Sequence, residues 1–215
     1  MKVSERGLAE IAAHEGLVMS KYKDSVGVWT IGIGHTKSAG QPDPEAVTGE
    51  LTINAIMEIF ARDIAKFERR VEKAFTRKLT QSQFDAAVSF DFNTGAIHRA
   101  TWVKKFNLGD EKNAKKSFMA WRKPPEIISR RKKERELFFN GVYSANGYVN
   151  VYPASKSGKV IWGQGRRMSL STDYVKDRNV ADQPSRGNKK QTNHKFRDFL
   201  MAVAGVWRRV EELFK

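Results

Sequence analysis

Residues 14–36 read HEGLVMSKYKDSVGVWTIGIGHT. Glu15, Asp24 and Thr30 stand in this stretch at the spacing E-x8-D-x5-T. Upstream, Ser4 is a suitable N-cap, and Leu8, Ile11 and Ala12 follow at i, i+3, i+4 spacing, which predicts a short helix over 4–15. Gly16 sits just past its end, where glycine best tolerates a left-handed backbone. Val26-Gly27-Val28 and Trp29 to Gly34 are β-branched, aromatic and too broken by glycine for a helix, so they predict a small antiparallel sheet. Glu15 is thereby placed at a helix C-terminus, where the macrodipole disfavours a carboxylate and burial beside Trp29 or Ile31 acts in the same direction. Asp24 falls in the polar Lys23-Asp24-Ser25 turn, which favours its ionised form. A carboxylic acid and a carboxylate held in different environments, with a hydroxyl six residues on to hold water, are what general acid/base cleavage of a glycosidic bond requires. Singly, each residue has an ordinary reading: a solvated helix end, a structural turn and a strand former.

Working outward, 215 residues suffice for one full core, and the chain contains no cysteine, so folding needs no disulfide. No apolar run reaches the roughly 18 residues that span a bilayer. The N-terminus carries Glu5, Arg6 and Glu10, which interrupt any signal-peptide core. The net charge of +15 is uneven: residues 1–98 sum to −1, whereas 99–135 sum to +9 and 156–215 to +8. A basic second half suits contact with a polyanion such as an anionic wall polymer, a lipid surface or nucleic acid, or is a solvated face that aids solubility. No nucleic-acid-binding motif accompanies the charge.

Ile56, Phe60, Ile64, Phe67 and Val71 predict a long amphipathic helix over about 52–75. Thr80-x-x-Gln83 is a capping box that opens a helix ending at Gly95, apolar on most faces and therefore central. Shorter helices are expected near 101–108, 111–121 and 127–139. Beyond Phe139, Asn-Gly, Pro and Ser-Gly turn signals separate strand-like runs. Tyr148–Tyr152 is expected to pair with Lys159–Trp162 as a hairpin, followed by a polar stretch at 176–193 and an amphipathic helix over 194–214. There is no internal repeat.

Three segments in order resemble the phage-type lysozymes (endolysins) of glycoside hydrolase family 24. They are Glu15-Gly16, Tyr22-Lys23-Asp24 and Trp29 to His35; Leu79-Thr80 through Phe90-Asp91-Phe92-Asn93-Thr94-Gly95; and Arg130-Arg131-Lys132-Lys133-Glu134-Arg135-Glu136-Leu137-Phe138. The resemblance covers about residues 4–140. It implies an α+β, mainly helical, lysozyme-like fold: a small antiparallel β lobe and a larger helical lobe joined by a long helix, with the active-site cleft between them. It implies a peptidoglycan hydrolase cleaving the β-1,4 bond between N-acetylmuramic acid and N-acetylglucosamine for host lysis. Glu15 is then the general acid, Asp24 the base or positioning carboxylate and Thr30 the water-holding hydroxyl. Asn93, Gly34, Arg130 and Arg131 are the expected substrate-binding residues, with Arg130 and Arg131 both open as partners of Glu15. His35 is expected to be structural, closing its strand against a carboxylate. Inversion is expected if Asp24 and Thr30 share one water.

The family's glycine loop before the Arg-Arg motif is replaced by Arg122-Lys123-Pro124-Pro125-Glu126. Residues 141–215 form an extension that the resemblance leaves uncovered; it either packs on the helical lobe, the reading preferred here, or is an appendage for wall or membrane. No cofactor or metal is expected, and the enzyme is expected to act as a monomer, made in the host cytoplasm and released with a holin. A non-lytic wall-binding or scaffold protein is the alternative from another class. A lytic transglycosylase is disfavoured because Asp24 is a ready water-activating base.

Overall fold

A computed structural model describes residues 1–170. The polar stretch 176–193 and the amphipathic helix expected over 194–214 lie outside the described residues. Helix α1 (Glu5–Glu15) starts where Ser4 accepts the Gly7 N–H on its hydroxyl. It stops at Gly16, whose φ of 76° and ψ of 164° lie in the extended positive-φ region reserved for glycine, rather than the left-handed helical one. That conformation turns the chain directly into strand β1 (Leu17–Lys23), so Glu15 and the sheet are separated by one residue. Strands β2 (Trp29–Gly32) and β3 (His35–Thr36) complete an antiparallel meander.

Helix α2 (Ile53–Ala74) is the long connector. Its 22 residues extend about 33 Å at the usual rise, enough to tie both lobes together. Toward the sheet it presents Asp63 to His35; toward the helical lobe Arg70 pairs with Asp91 at 2.6 Å. Helix α3 (Gln81–Thr94) opens with the Thr80/Gln83 capping box and is buried continuously from Phe84 to Asn93, as a central helix must be. Helices α4 (Thr101–Asn107), α5 (Glu111–Phe118) and α6 (Ile128–Asn140) wrap around it. Trp102 is fully buried there, with ring centroids of Phe118, Phe138 and Phe90 at 4.6, 4.9 and 5.2 Å. Each such ring favours folding by about 1.5–3 kcal/mol through burial.

Two expectations are corrected. The partner of strand β4 (Tyr148–Tyr152) is β5 (Arg166–Ser169), not 159–162. Residues 153–165 instead form a separate excursion closed by an Ala154–Val160 bridge. The sheet is also mixed rather than antiparallel: β4 pairs in parallel with β1 through Leu17–Val151 and Val18–Tyr152, giving the order β3-β2-β1-β4-β5. Residues 148–170 therefore extend the β lobe, while Val149 and Val151 also enter the main core. A hairpin over adjacent strand-like runs is the local optimum, but burying Val149 and Val151 against the core requires β4 to lie beside β1, and β5 then covers its other edge.

Candidate active site

Glu15, the last residue of α1, is only 7% exposed. Three helices build its surroundings. Arg130 of α6 reaches it through Nη1, while Arg130 Nε donates to Glu134 Oε1 at 2.8 Å and Nη2 to the Ser89 carbonyl at 3.2 Å. The Ser89 hydroxyl of α3 donates to the same Glu134 oxygen at 2.7 Å. Arg131 pairs with the other Glu134 oxygen, donates to the Trp121 carbonyl at 2.9 Å and to Asn93 Oδ1 at 2.6 Å. Two carboxyl groups and two guanidiniums thus share one buried cluster, in which each guanidinium is paired with the Glu134 carboxylate. Burial raises the carboxyl of Glu15 above its ordinary range, and the attraction of Arg130 offsets this only in part. Burial opposes the charge on Arg130, but Glu15 and Glu134 more than compensate and hold it protonated.

The partner of Glu15 is therefore Arg130, which adjacent positions on a helix could not decide. Arg130 and Arg131 are 3% and 0% exposed and Asn93 is 3% exposed, with polar groups directed at protein partners. The two arginines, expected as substrate-binding residues, are thus turned to protein partners. They hold Glu15 and the wall behind it, and the amide oxygen of Asn93 belongs to the same wall.

Asp24 is held by a different device. Its Oδ1 accepts the N–H groups of Val26 and Val28, both at 2.9 Å, and its own N–H donates to the Val28 carbonyl at 3.0 Å. The carboxylate is oriented within one five-residue turn, and among the described residues its Oδ2 takes no hydrogen bond. Thr30, in β2 and 2% exposed, donates its hydroxyl to the Val28 carbonyl at 3.0 Å. It braces the residue that in turn orients Asp24.

Tyr22 connects the two sides. The aromatic ring is half-buried on β1, the hydroxyl meets the backbone N–H of Gly34, and the charges of both Asp24 and Glu15 reach it. Burial first, then these carboxylates, push its ionisation well above the ordinary phenol range, so it stays a neutral hydroxyl. Tyr22, Ser89 and Glu134 are the site residues missed from sequence. The i, i+3 and i, i+4 spacing of Arg131 and Arg130 with Glu134 was an available signal; Ser89 looks like one more small residue in an apolar helix. His14 is pushed well below its usual range by burial and by Arg130, Lys133 and Arg131, and is neutral. His35 is structural as expected: Nδ1 lies 2.9 Å from Asp63 Oδ2 and Nε2 lies 3.0 Å from the Pro42 carbonyl.

A buried acid at a helix end, a turn-held carboxylate nine residues on and an Arg-Arg-x-x-Glu helix have counterparts. The family model described as phage lysozyme matches residues 12–134. The chain belongs to the phage lysozyme family. It is 35% identical over 150 residues to the endolysin of Acyrthosiphon pisum secondary endosymbiont phage 1, covering 64% of this chain and 98% of that one. It is 32% identical over 148 residues to the endolysin of Salmonella phage P22, covering 65% and 99%. Among solved structures, the endolysin from Escherichia coli O157:H7 phage FAHEc1 superposes with a TM-score of 0.60 at 28% identity, covering 67% of this chain and 97% of that one. The muramidase domain of SpmX from Asticaccaulis excentricus gives 0.55 at 29% identity, covering 65% and 98%. This phage lysozyme is thus a peptidoglycan-hydrolysing muramidase of the endolysin kind, acting in host lysis.

Proposed function

We propose that this lysozyme cleaves the β-1,4 bond between N-acetylmuramic acid and N-acetylglucosamine with Glu15 as general acid and Asp24 as general base. The observation that carries this reading is the contrast between a buried Glu15 with a raised carboxyl pKa and an Asp24 whose Oδ2 is left open by its turn. Glu15 gives its proton to the leaving glycosidic oxygen as the bond to the anomeric carbon breaks. A water attacks that carbon from the other face and passes a proton to Asp24 Oδ2. Thr30 donates its proton to Val28, which leaves its oxygen lone pairs for the water's second hydrogen. Gly34, near the Tyr22 hydroxyl, is read as a substrate-facing backbone position. Attack by water on the opposite face inverts the anomeric centre.

Glu15→Gln tests the reading: release of reducing ends from peptidoglycan should be abolished with the melting temperature retained. Near-normal turnover in a folded Glu15→Gln protein would refute the role of Glu15. Mass spectrometry of wild-type products should find hydrated reducing ends, and NMR of the first-formed anomer should show inversion.

Residues 1–140 are read as the catalytic unit and 141–215 as an extension joined to it, supported by the pairing of β4 with β1. The helical lobe exposes Lys104, Lys112, Lys116, Lys123 and Lys132, and these are read as a contact for anionic wall polymer. Sedimentation onto sacculi should then weaken as salt rises. The proposed action is as a monomer, released from the host cytoplasm through a holin lesion. Among the described residues, no helix is long and apolar enough to cross a membrane.

A further inference from the structure

The excursion 153–165 lies beyond the residues that the family model matches, yet it touches the strand and turn that carry Asp24. Its tip is a tight turn: Gly158 N–H donates to the Ser155 carbonyl at 2.9 Å, Ser155 N–H to the Lys159 carbonyl at 2.8 Å, and Lys159 N–H to the Ser155 hydroxyl at 3.1 Å. From this tip, the Gly158 carbonyl accepts the N–H of Lys23 at 2.8 Å. Lys23 is the last residue of β1 and immediately precedes Asp24. Gly158 has φ +86°, and a Cβ there would stand 2.7 Å and 3.0 Å from ring carbons of Trp29 and 3.2 Å from Lys23 Cγ. Trp29 is paired with Lys23 across the hairpin, so the glycine presses on both residues that close the Asp24 turn.

The base of the excursion is anchored independently. Val18, Tyr152 and Val160 form a small apolar cluster apart from the main core, against which Tyr22, Ala154 and Trp162 pack. The Tyr152 and Trp162 rings meet edge to face at 4.9 Å. Tyr22, whose hydroxyl is reached by the charges of both carboxylates, packs against the cluster that contains Tyr152 and Val160 of the extension. Without this cover, the far end of β1 is the uncovered outer edge of the β1-β2-β3 meander, with its free backbone groups open to water.

We infer that the excursion 153–165 is a positioning element for catalysis, which holds the Asp24 turn and Tyr22 in register through Gly158 and Val160, with Tyr152 of β4 at its base. The inference rests on the role proposed for Asp24. A base displaced by a fraction of its hydrogen-bond reach transfers its proton less effectively, whereas distant sugar contacts are unaffected. The signature is thus a loss of kcat with KM retained.

The test is a four-way comparison in the full chain on soluble peptidoglycan fragments, well below the melting temperature. Gly158→Ala pushes a methyl group into Trp29 and should lower kcat about tenfold with KM held within about twofold. Trp29→Leu makes room for that methyl group, so adding Gly158→Ala to Trp29→Leu should cost less than about threefold further. Gly158→Asn accepts the positive φ more readily but keeps the Cβ, and should reproduce the kcat loss if Gly158→Ala folds poorly. A normal kcat in either folded glycine variant overturns the inference. So does an equal loss with and without Trp29, which would mean that glycine serves only the excursion's own fold. Asp24→Asn, run beside them, tests the parent reading separately. Normal turnover there removes the role of Asp24. An inactive Asp24→Asn together with a normal Gly158→Ala removes the positioning role alone.

Discussion

The two carboxylates are fixed in opposite ways. Glu15 is held by side chains from α1, α3 and α6, drawn from positions as far apart as residue 15 and residue 134, in a buried cluster of paired charges. Asp24 is held by backbone N–H groups two and four residues further along the chain. The difference suits the roles proposed for them. A general acid must keep its proton near neutral pH, which takes desolvation, and desolvation takes a core. A general base must be ionised and reachable by water, so a local turn at the surface suffices, provided that something keeps the turn in place.

The comparison breaks most decisively at Arg130. Arg130→Met leaves Glu15 and Glu134 buried without their shared cation, and should cost about 3–5 kcal/mol in urea unfolding. A loss below about 1 kcal/mol would show that the cluster is wetter than its burial indicates. Next in size is Asp24→Asn. The amide oxygen can still accept from Val26 and Val28, so stability should hold within about 1 kcal/mol while kcat/KM falls about 10²- to 10⁴-fold. An equally large loss of stability would put Asp24 in the same class as Glu15 and erase the contrast.

Two pH dependences sharpen the comparison. The carboxyl of Glu15 is raised, so the active acid form persists to higher pH than an ordinary glutamate allows, and kcat/KM should fall as pH rises through that value. A limb at the ordinary glutamate value of about 4.3 would show that burial does not control the acid. At His35, burial disfavours the charged ring, but the Asp63 carboxylate and the Pro42 and Gly40 backbone groups outweigh it and raise its pKa. The stabilisation from His35 is therefore complete below its unfolded value of about 6.5 and is lost as pH rises through the higher folded value. The stability difference between wild type and His35→Asn should shrink over that window. A difference independent of pH would mean that the ring is neutral throughout. The smallest effect is expected at Thr30→Val, which removes one hydrogen bond to the Val28 carbonyl and should cost about 0.5–1.5 kcal/mol, with a larger proportional loss in kcat than in stability.

Much of the architecture was legible because its signals are local. Ser4, Thr52 and Thr80 cap α1, α2 and α3 where their side chains can reach the first free N–H groups, and the apolar stripe of Ile56, Phe60, Ile64, Phe67 and Val71 faces the core. β1 was not legible: Leu17–Lys23 has no clean alternation, because it is buried by α1 and the core at one end and merely edge-covered at the other. Nor was the parallel pairing of β4 with β1, which joins segments more than 130 residues apart and leaves no mark on either.

By itself the sequence determined the placement of the residues proposed for the chemistry: Glu15 at a helix end, Asp24 in a turn and Thr30 on the next strand, within the motifs of the phage lysozymes. Their local surroundings follow from capping, turn and strand preferences a few residues long. Only the tertiary structure decided that Arg130 rather than Arg131 meets Glu15, that Tyr22 feels the charges of both carboxylates, and that residues 148–165 close the edge of the strand leading to Asp24. Those outcomes depend on burial and on which distant surfaces meet, and the free energy of a buried charge or an uncovered strand edge is settled by the whole packed chain.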